Sequence, residues 1–163
     1  MTTAEKVRSY DYVNHPYEKV RDALTDPLAV FQGATKTAAA RANSLASELR
    51  VDLAGLTLAA DIKIRVTGTE HQKAEAGSPP FTTIHLEWEA ASRPHLFPFM
   101  KAELALYPLT GKETQLDFSG LYQPPLGVLG SAINSLAGHR IAESSVHRFV
   151  SEIAEHLRKS LND

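Results

Sequence analysis

Phe99-Met100-Lys101-Ala102-Glu103-Leu104-Ala105-Leu106 and, after a turn over Pro108–Lys112, Gln115-Leu116-Asp117-Phe118-Ser119-Gly120-Leu121-Tyr122 decide the fold class. Met100, Ala102, Leu104 and Leu106 alternate with Phe99, Lys101, Glu103 and Ala105, and Leu116, Phe118, Gly120 and Tyr122 alternate with Gln115, Asp117 and Ser119. A period of two marks a strand that is dry on one face and wet on the other. The link is too short for a crossover, so the pair is antiparallel.

The same pattern extends upstream. Ile84, Leu86, Trp88 and Ala90 alternate with Thr83, His85, Glu87 and Glu89, and Arg93–Pro98 joins this strand to the next. Before it, Leu58, Ala60, Ile62, Ile64 and Val66 alternate with Ala59, Asp61, Lys63 and Arg65. Across an Ala54-Gly55 turn, Leu45, Ser47, Leu49, Val51 and Leu53 alternate with Ala46, Glu48, Arg50 and Asp52, which predicts a hairpin. Thr67–Pro80 is polar, with Gly68, Gly77, Pro79 and Pro80, and reads as a loop, with or without a short strand inside. The predicted result is an antiparallel meander covered on one face only.

Both flanks complete the architecture. Val7–Asn14, with Tyr10, Tyr12 and Val13, predicts a first strand. Pro16 then opens a short helix with Val20, Ala23 and Leu24 as its apolar stripe, and Asp26-Pro27 opens a second over Leu28–Phe31. The alanine-rich tract Gly33–Ala42 is either loop or a weak extension of that helix. From Ser131 to Lys159 the period becomes helical: Ile133, Ala137, Ile141, Ser145, Phe149, Ile153 and Leu157 share one face, widened by Val146 and Val150. A helix of this length, about 40 Å, can cover a whole curved sheet. The class is α+β, in one domain over residues 1–163.

Composition narrows the function. A net charge of −2 gives no electrostatic reason to bind nucleic acid. The absence of cysteine removes disulfides, thiolate metal sites and a cysteine nucleophile. Met1–Arg8 carries both charge signs and lacks a signal-peptide pattern, so a cytoplasmic location is the expectation. The uncharged stretch Phe118–Gly138 contains Gln123, Pro124, Pro125 and Asn134 and does not read as a transmembrane helix.

The element order, with Val13-Asn14-His15-Pro16-Tyr17-Glu18-Lys19-Val20 at the first helix and Gly120-Leu121-Tyr122-Gln123-Pro124-Pro125-Leu126-Gly127 before the last, resembles the helix-grip superfamily. This START-like (SRPBCC) group includes polyketide cyclase and dehydratase-like proteins and many bacterial members of unknown role. The resemblance implies a curved sheet of six or seven strands around the long C-terminal helix, with two short helices after the first strand. The usual number is seven and the sequence shows six, so either Glu70–Glu75 hides a strand or the sheet is trimmed.

The resemblance also implies an internal cavity for a small hydrophobic partner of lipid, polyketide or isoprenoid type. Its expected lining is Leu49, Val51, Ala60, Ile62, Ile64, Ile84, Leu86, Trp88, Met100, Ala102, Leu104, Phe118 and Tyr122 from the strands, with Ile133, Ala137 and Ile141 from the helix. Small residues there, Ala60, Ala90, Ala102 and Gly120, leave space; an apolar face that simply packs as core is the alternative. Connections in a meander alternate between the two sheet ends, so Ala54-Gly55, Arg93–Pro98 and Gln123–Gly130 share one end. Phe97, Leu126 and Leu129 are expected at a cavity mouth there.

Catalytic chemistry is thinly supplied. Ser47 and Tyr122 are the polar side chains on the expected inner face, and a donor without a base is a weak case for a cyclase or dehydratase. His85 falls on the charged face, His15 and His71 flank elements, and His95 lies near the expected mouth. His139, Glu143 and His147 share a helix face, but positions i, i+4 and i+8 span about 12 Å, too far for one zinc ion. No cofactor and no metal are expected. The alternatives to a binding protein are a cyclase-like enzyme and a module that meets a protein or lipid partner.

Overall fold

The computed structural model describes residues 5–48, 62–90, 99–123 and 135–162. These form five strands and three helices: β1 (Glu5–Val13), α1 (Tyr17–Ala23), α2 (Leu28–Glu48), β2 (Ile62–Gln72), β3 (Phe81–Ala90), β4 (Phe99–Thr110), β5 (Glu113–Gln123) and α3 (Ser135–Ser160). The strands make one antiparallel sheet in the order β1-β5-β4-β3-β2. The meander from β2 to β5 is as the alternation predicts, and β1 pairs with β5, from Glu5 opposite Tyr122 to Val13 opposite Thr114.

Period two becomes two faces. Ile64, Ile84, Leu86, Trp88, Met100, Ala102, Leu104, Leu106, Leu116 and Phe118 are buried. The opposite face is charged. Arg65 meets Glu87 at 2.8 Å, Arg8 meets Asp117 at 2.7 Å, and His85 lies 3.4 Å from Glu70 and 3.5 Å from Glu103. Such exposed pairs contribute little stability each.

Val146, Phe149, Val150, Ile153, Ala154 and Leu157 of α3 are buried with the sheet's apolar face. Arg158 fastens the end of this helix to β1, donating to Asp11 Oδ1 at 2.7 Å and to the Tyr12 carbonyl at 2.6 Å. In the same cross-strand row as Asp11, buried Tyr17 of α1 is hydrogen-bonded to Thr82 of β3 at 2.7 Å. Thr82 also lies 2.9 Å from His71 Nδ1.

Three local expectations are corrected. The second helix is not short: α2 is 21 residues long, so Gly33–Ala42 is helix. Ser44–Glu48 is the last part of that helix and not the start of a strand, which takes Ser47 off the sheet. The reason is the alanine content: alternating Leu45, Ala46 and Ser47 suits a strand face, but alanine is also the best helix former and continues a helix already begun. Thr67–Gln72 is not loop but the outer part of β2, after a register shift between Val66 and Gly68. Thr67, Thr69, Glu70, His71 and Gln72 are all exposed, so both faces of this edge segment meet water and no alternation is visible.

The described residues therefore hold five strands where six or seven were expected. The upstream hairpin at Leu49, Val51, Leu53, Ala54-Gly55, Leu58 and Ala60 lies outside them.

Gly33 offers a simple test of α2. It is exposed within the helix, and an added Cβ would meet nothing within 4 Å. Gly33→Ala is expected to raise stability by about 0.5–1 kcal/mol, read as a higher melting temperature. An unchanged or lower melting temperature would argue against helix at this position.

Candidate functional site

Strand register arranges the inner face in rows. Ile64, Trp88, Met100 and Tyr122 are successive cross-strand partners, followed by Val66, Leu86, Ala102 and Gly120, and then by Ile84, Leu104 and Phe118. The first row lies at the end where β3 and β5 finish and β4 begins. The links after β3 and after β5 thus leave from one end, as the alternation of connections requires. Phe97, Leu126 and Leu129, the expected mouth, lie outside the described residues, as do Leu49, Val51, Ala60 and Ile133.

Burial is graded along the face. Ile84, Leu104 and Phe118 are fully enclosed, whereas Ile64, Trp88 and Ala102 keep 8%, 9% and 6% exposure. The residual exposure gathers at the Trp88 end. Ile62 and Tyr122 are placed at that end by the backbone of β2 and β5, and Ala137 and Ile141 lie in the first half of α3.

Four aromatic rings cluster in the core beside this end of the face. Phe149 of α3 lies 5.2 Å from Trp88 and 5.7 Å from Phe118, both edge to face, and 5.8 Å from Phe31 of α2. Trp88 and Phe118 stack at 6.0 Å. These separations are those of favourable aromatic pairs.

The room expected at Gly120 is occupied. A Cβ there would come within 2.9 Å of Met100 Sδ and 3.0 Å of Phe118 Cε1. Met100 therefore lies over Gly120, and a flexible thioether fills the space the glycine leaves.

Phe31 and Phe149 were not among the expected lining residues. Phe149 sits on the apolar stripe of α3 and Phe31 at the beginning of α2, and nothing in either local pattern says that Phe149 meets both Phe31 and Trp88. A polar cleft of about 340 Å³ was also not anticipated; Arg8, Ser9, Arg41, Arg140, Glu143, Ser144 and His147 line it. Its α3 members follow helical spacing, whereas Arg8 and Arg41 carry no local signal that they join them. Asp117, by hydrogen bond and charge, raises the Arg8 guanidinium above its ordinary value.

No protein-family model matches the chain, and no curated protein is similar to it. Solved structures do match across nearly the whole length. The Zhui aromatase/cyclase from a Streptomyces species aligns over 98% of this chain and 96% of its own, with a TM-score of 0.51 at 12% identity. The chain has the helix-grip fold. A hypothetical protein from Helicobacter pylori aligns over 96% of this chain and 89% of its own, with a TM-score of 0.50 at 8% identity. A START superfamily protein from Mycobacterium smegmatis covers 97% of this helix-grip chain and 99% of its own, at 12% identity and a TM-score of 0.45. Among the described residues no helix is long and apolar enough to cross a membrane.

Proposed function

We propose that this helix-grip protein binds a small hydrophobic molecule between the inner face of the sheet and α3, at the Trp88 end. The graded burial carries the reading. Trp88, Ile64 and Ala102 are apolar and inward-facing, yet retain exposure that Leu104 and Phe118 lack. A wall of aliphatic and aromatic side chains favours an apolar guest, and Met100 over Gly120 supplies a part that can yield to its shape. Ile64, Ile84, Leu86, Trp88, Met100, Ala102, Leu104 and Phe118 form the described part of this wall, and Phe149 is added to it. Phe97, Leu126 and Leu129 remain our assignment for the mouth.

A cyclase-like reaction on the same guest is the second reading, favoured by the fold shared with the Streptomyces aromatase/cyclase. With Ser47 in α2, Tyr122 is the hydrogen-bond donor left to it from the expected inner face.

The protein has one tryptophan, so Trp88 reports on the site directly. Titration with the neutral dye N-phenyl-naphthylamine should quench Trp88 emission in a saturable way as the dye brightens. Mass spectrometry of organic extracts from natively purified protein should show a retained apolar compound. Linear, non-saturating quenching together with an empty extract would refute the reading.

A further inference from the structure

Among the described residues β1 is an edge strand, bonded to β5 on one side only. In an antiparallel ladder the N–H and C=O of one residue point to the same side, and that side alternates along the strand. Tyr12 fixes which side is which. Its N–H donates to Asp11 Oδ1 at 2.7 Å and its C=O accepts from Arg158 Nη2 at 2.6 Å, so both point away from β5. Lys6, Arg8 and Tyr10, at steps of two from Tyr12 in an unbroken register, turn their N–H and C=O the same way. Such a row is a template for another strand. This one carries Tyr10 at 68% and Tyr12 at 49% exposure, side chains that pack well across a strand pair.

Two side chains close the row at one point. Arg158 reaches over the edge from α3, and its Nη2 donates both to the Tyr12 carbonyl and to Asp11 Oδ1 at 2.7 Å. Its guanidinium carbon lies 5.2 Å from the centre of the Tyr12 ring. Asp11 Oδ1 takes the Tyr12 N–H in turn, so one ion pair satisfies both edge groups of one residue. An ion pair alone would fasten the helix; this one also occupies the backbone of the edge.

Charge explains why one point is enough. A second β1 added antiparallel about a two-fold axis sets residues of the same face opposite each other. Registers that leave Tyr12 out place Lys6 or Arg8 opposite Lys6 or Arg8, and like charges directly opposite are destabilising. Asp117 lowers that cost for Arg8, but these registers also forgo the Tyr12 contacts. Registers that include Tyr12 set the cations opposite tyrosine, or tyrosine opposite tyrosine, and every one of them needs the Tyr12 N–H and C=O.

We propose that Asp11 and Arg158 cap the free edge of β1 and so prevent a second copy of the chain from adding its own β1 there. The cap is independent of the apolar site at Trp88.

Sedimentation velocity of the full chain tests this. The unaltered protein should sediment at monomer mass. Arg158→Gln and Asp11→Ala should each give a concentration-dependent dimer, with a Kd of about 0.1 mM or tighter. Tyr10→Pro, added to either, should restore the monomer. It deletes one outward N–H and no bond to β5, and proline is tolerated on such an edge. Native Trp88 emission shows that a variant is folded. Should Arg158→Gln unfold, Asp11→Ala, which leaves α3 unaltered, carries the test. Folded variants that stay monomeric, even with a lowered melting temperature, would make the pair a helix fastener only and overturn the cap. So would a dimer that survives Tyr10→Pro, since it forms through another surface. An unaltered protein that is already a dimer and is dissociated by Tyr10→Pro would overturn it as well.

Discussion

Phe149→Ala is expected to lower unfolding free energy by about 3–5 kcal/mol, measured by urea denaturation. The ring is fully buried and touches Phe31, Trp88 and Phe118, so it joins α2, α3 and the sheet at one point. Its removal deletes apolar burial from the largest aromatic cluster among the described residues and leaves a void bounded by rigid rings. Aromatic side chains have few rotamers with which to refill such a space, so the loss belongs toward the upper part of the range. Phe149→Leu keeps most of the volume and should lose much less. A loss below about 1.5 kcal/mol for Phe149→Ala would mean that the helix does not depend on this cluster to hold the sheet.

Trp88→Ala is expected to cost about 3 kcal/mol, at the low end of the range for a large core aromatic, and to change dye binding as well. Trp88 stacks on Phe118 and meets the edge of Phe149, but it keeps 9% exposure where those two keep none. One side of the indole is packed and the other borders the proposed guest space. Truncation should therefore enlarge that space, and N-phenyl-naphthylamine, followed by its own emission, should bind with altered affinity. A loss as large as that of Phe149→Ala with unchanged dye binding would make Trp88 ordinary core and remove it from the wall. Solvent-like emission from Trp88 in the native protein would contradict its inward placement altogether.

What the sequence determined by itself is set by local periodicity. β3, β4 and β5 each have one dry and one wet face, so Ile84 to Trp88, Met100 to Leu106 and Leu116 to Phe118 could be assigned to the inside before any contact was known. The same holds for α3, whose stripe from Ser145 to Leu157 is buried as its spacing requires. Local pattern failed where it was ambiguous or absent. Alanine serves helix and strand faces equally, so Ser44–Glu48 followed the helix before it rather than its own alternation. Thr67–Gln72 pairs along a sheet edge with both faces in water, and backbone hydrogen bonding alone leaves no hydrophobic trace.

Only tertiary structure decided the rest, because it turns on which distant side chains meet. Gly120 looked like open space until Met100, its diagonal neighbour on the next strand, was seen lying over it. Phe31 and Phe149 became part of the Trp88 cluster through the packing of α2 and α3 on the sheet. The polar cleft draws its lining from β1, α2 and α3, far apart in the chain, and no periodicity within any one of them encodes that meeting.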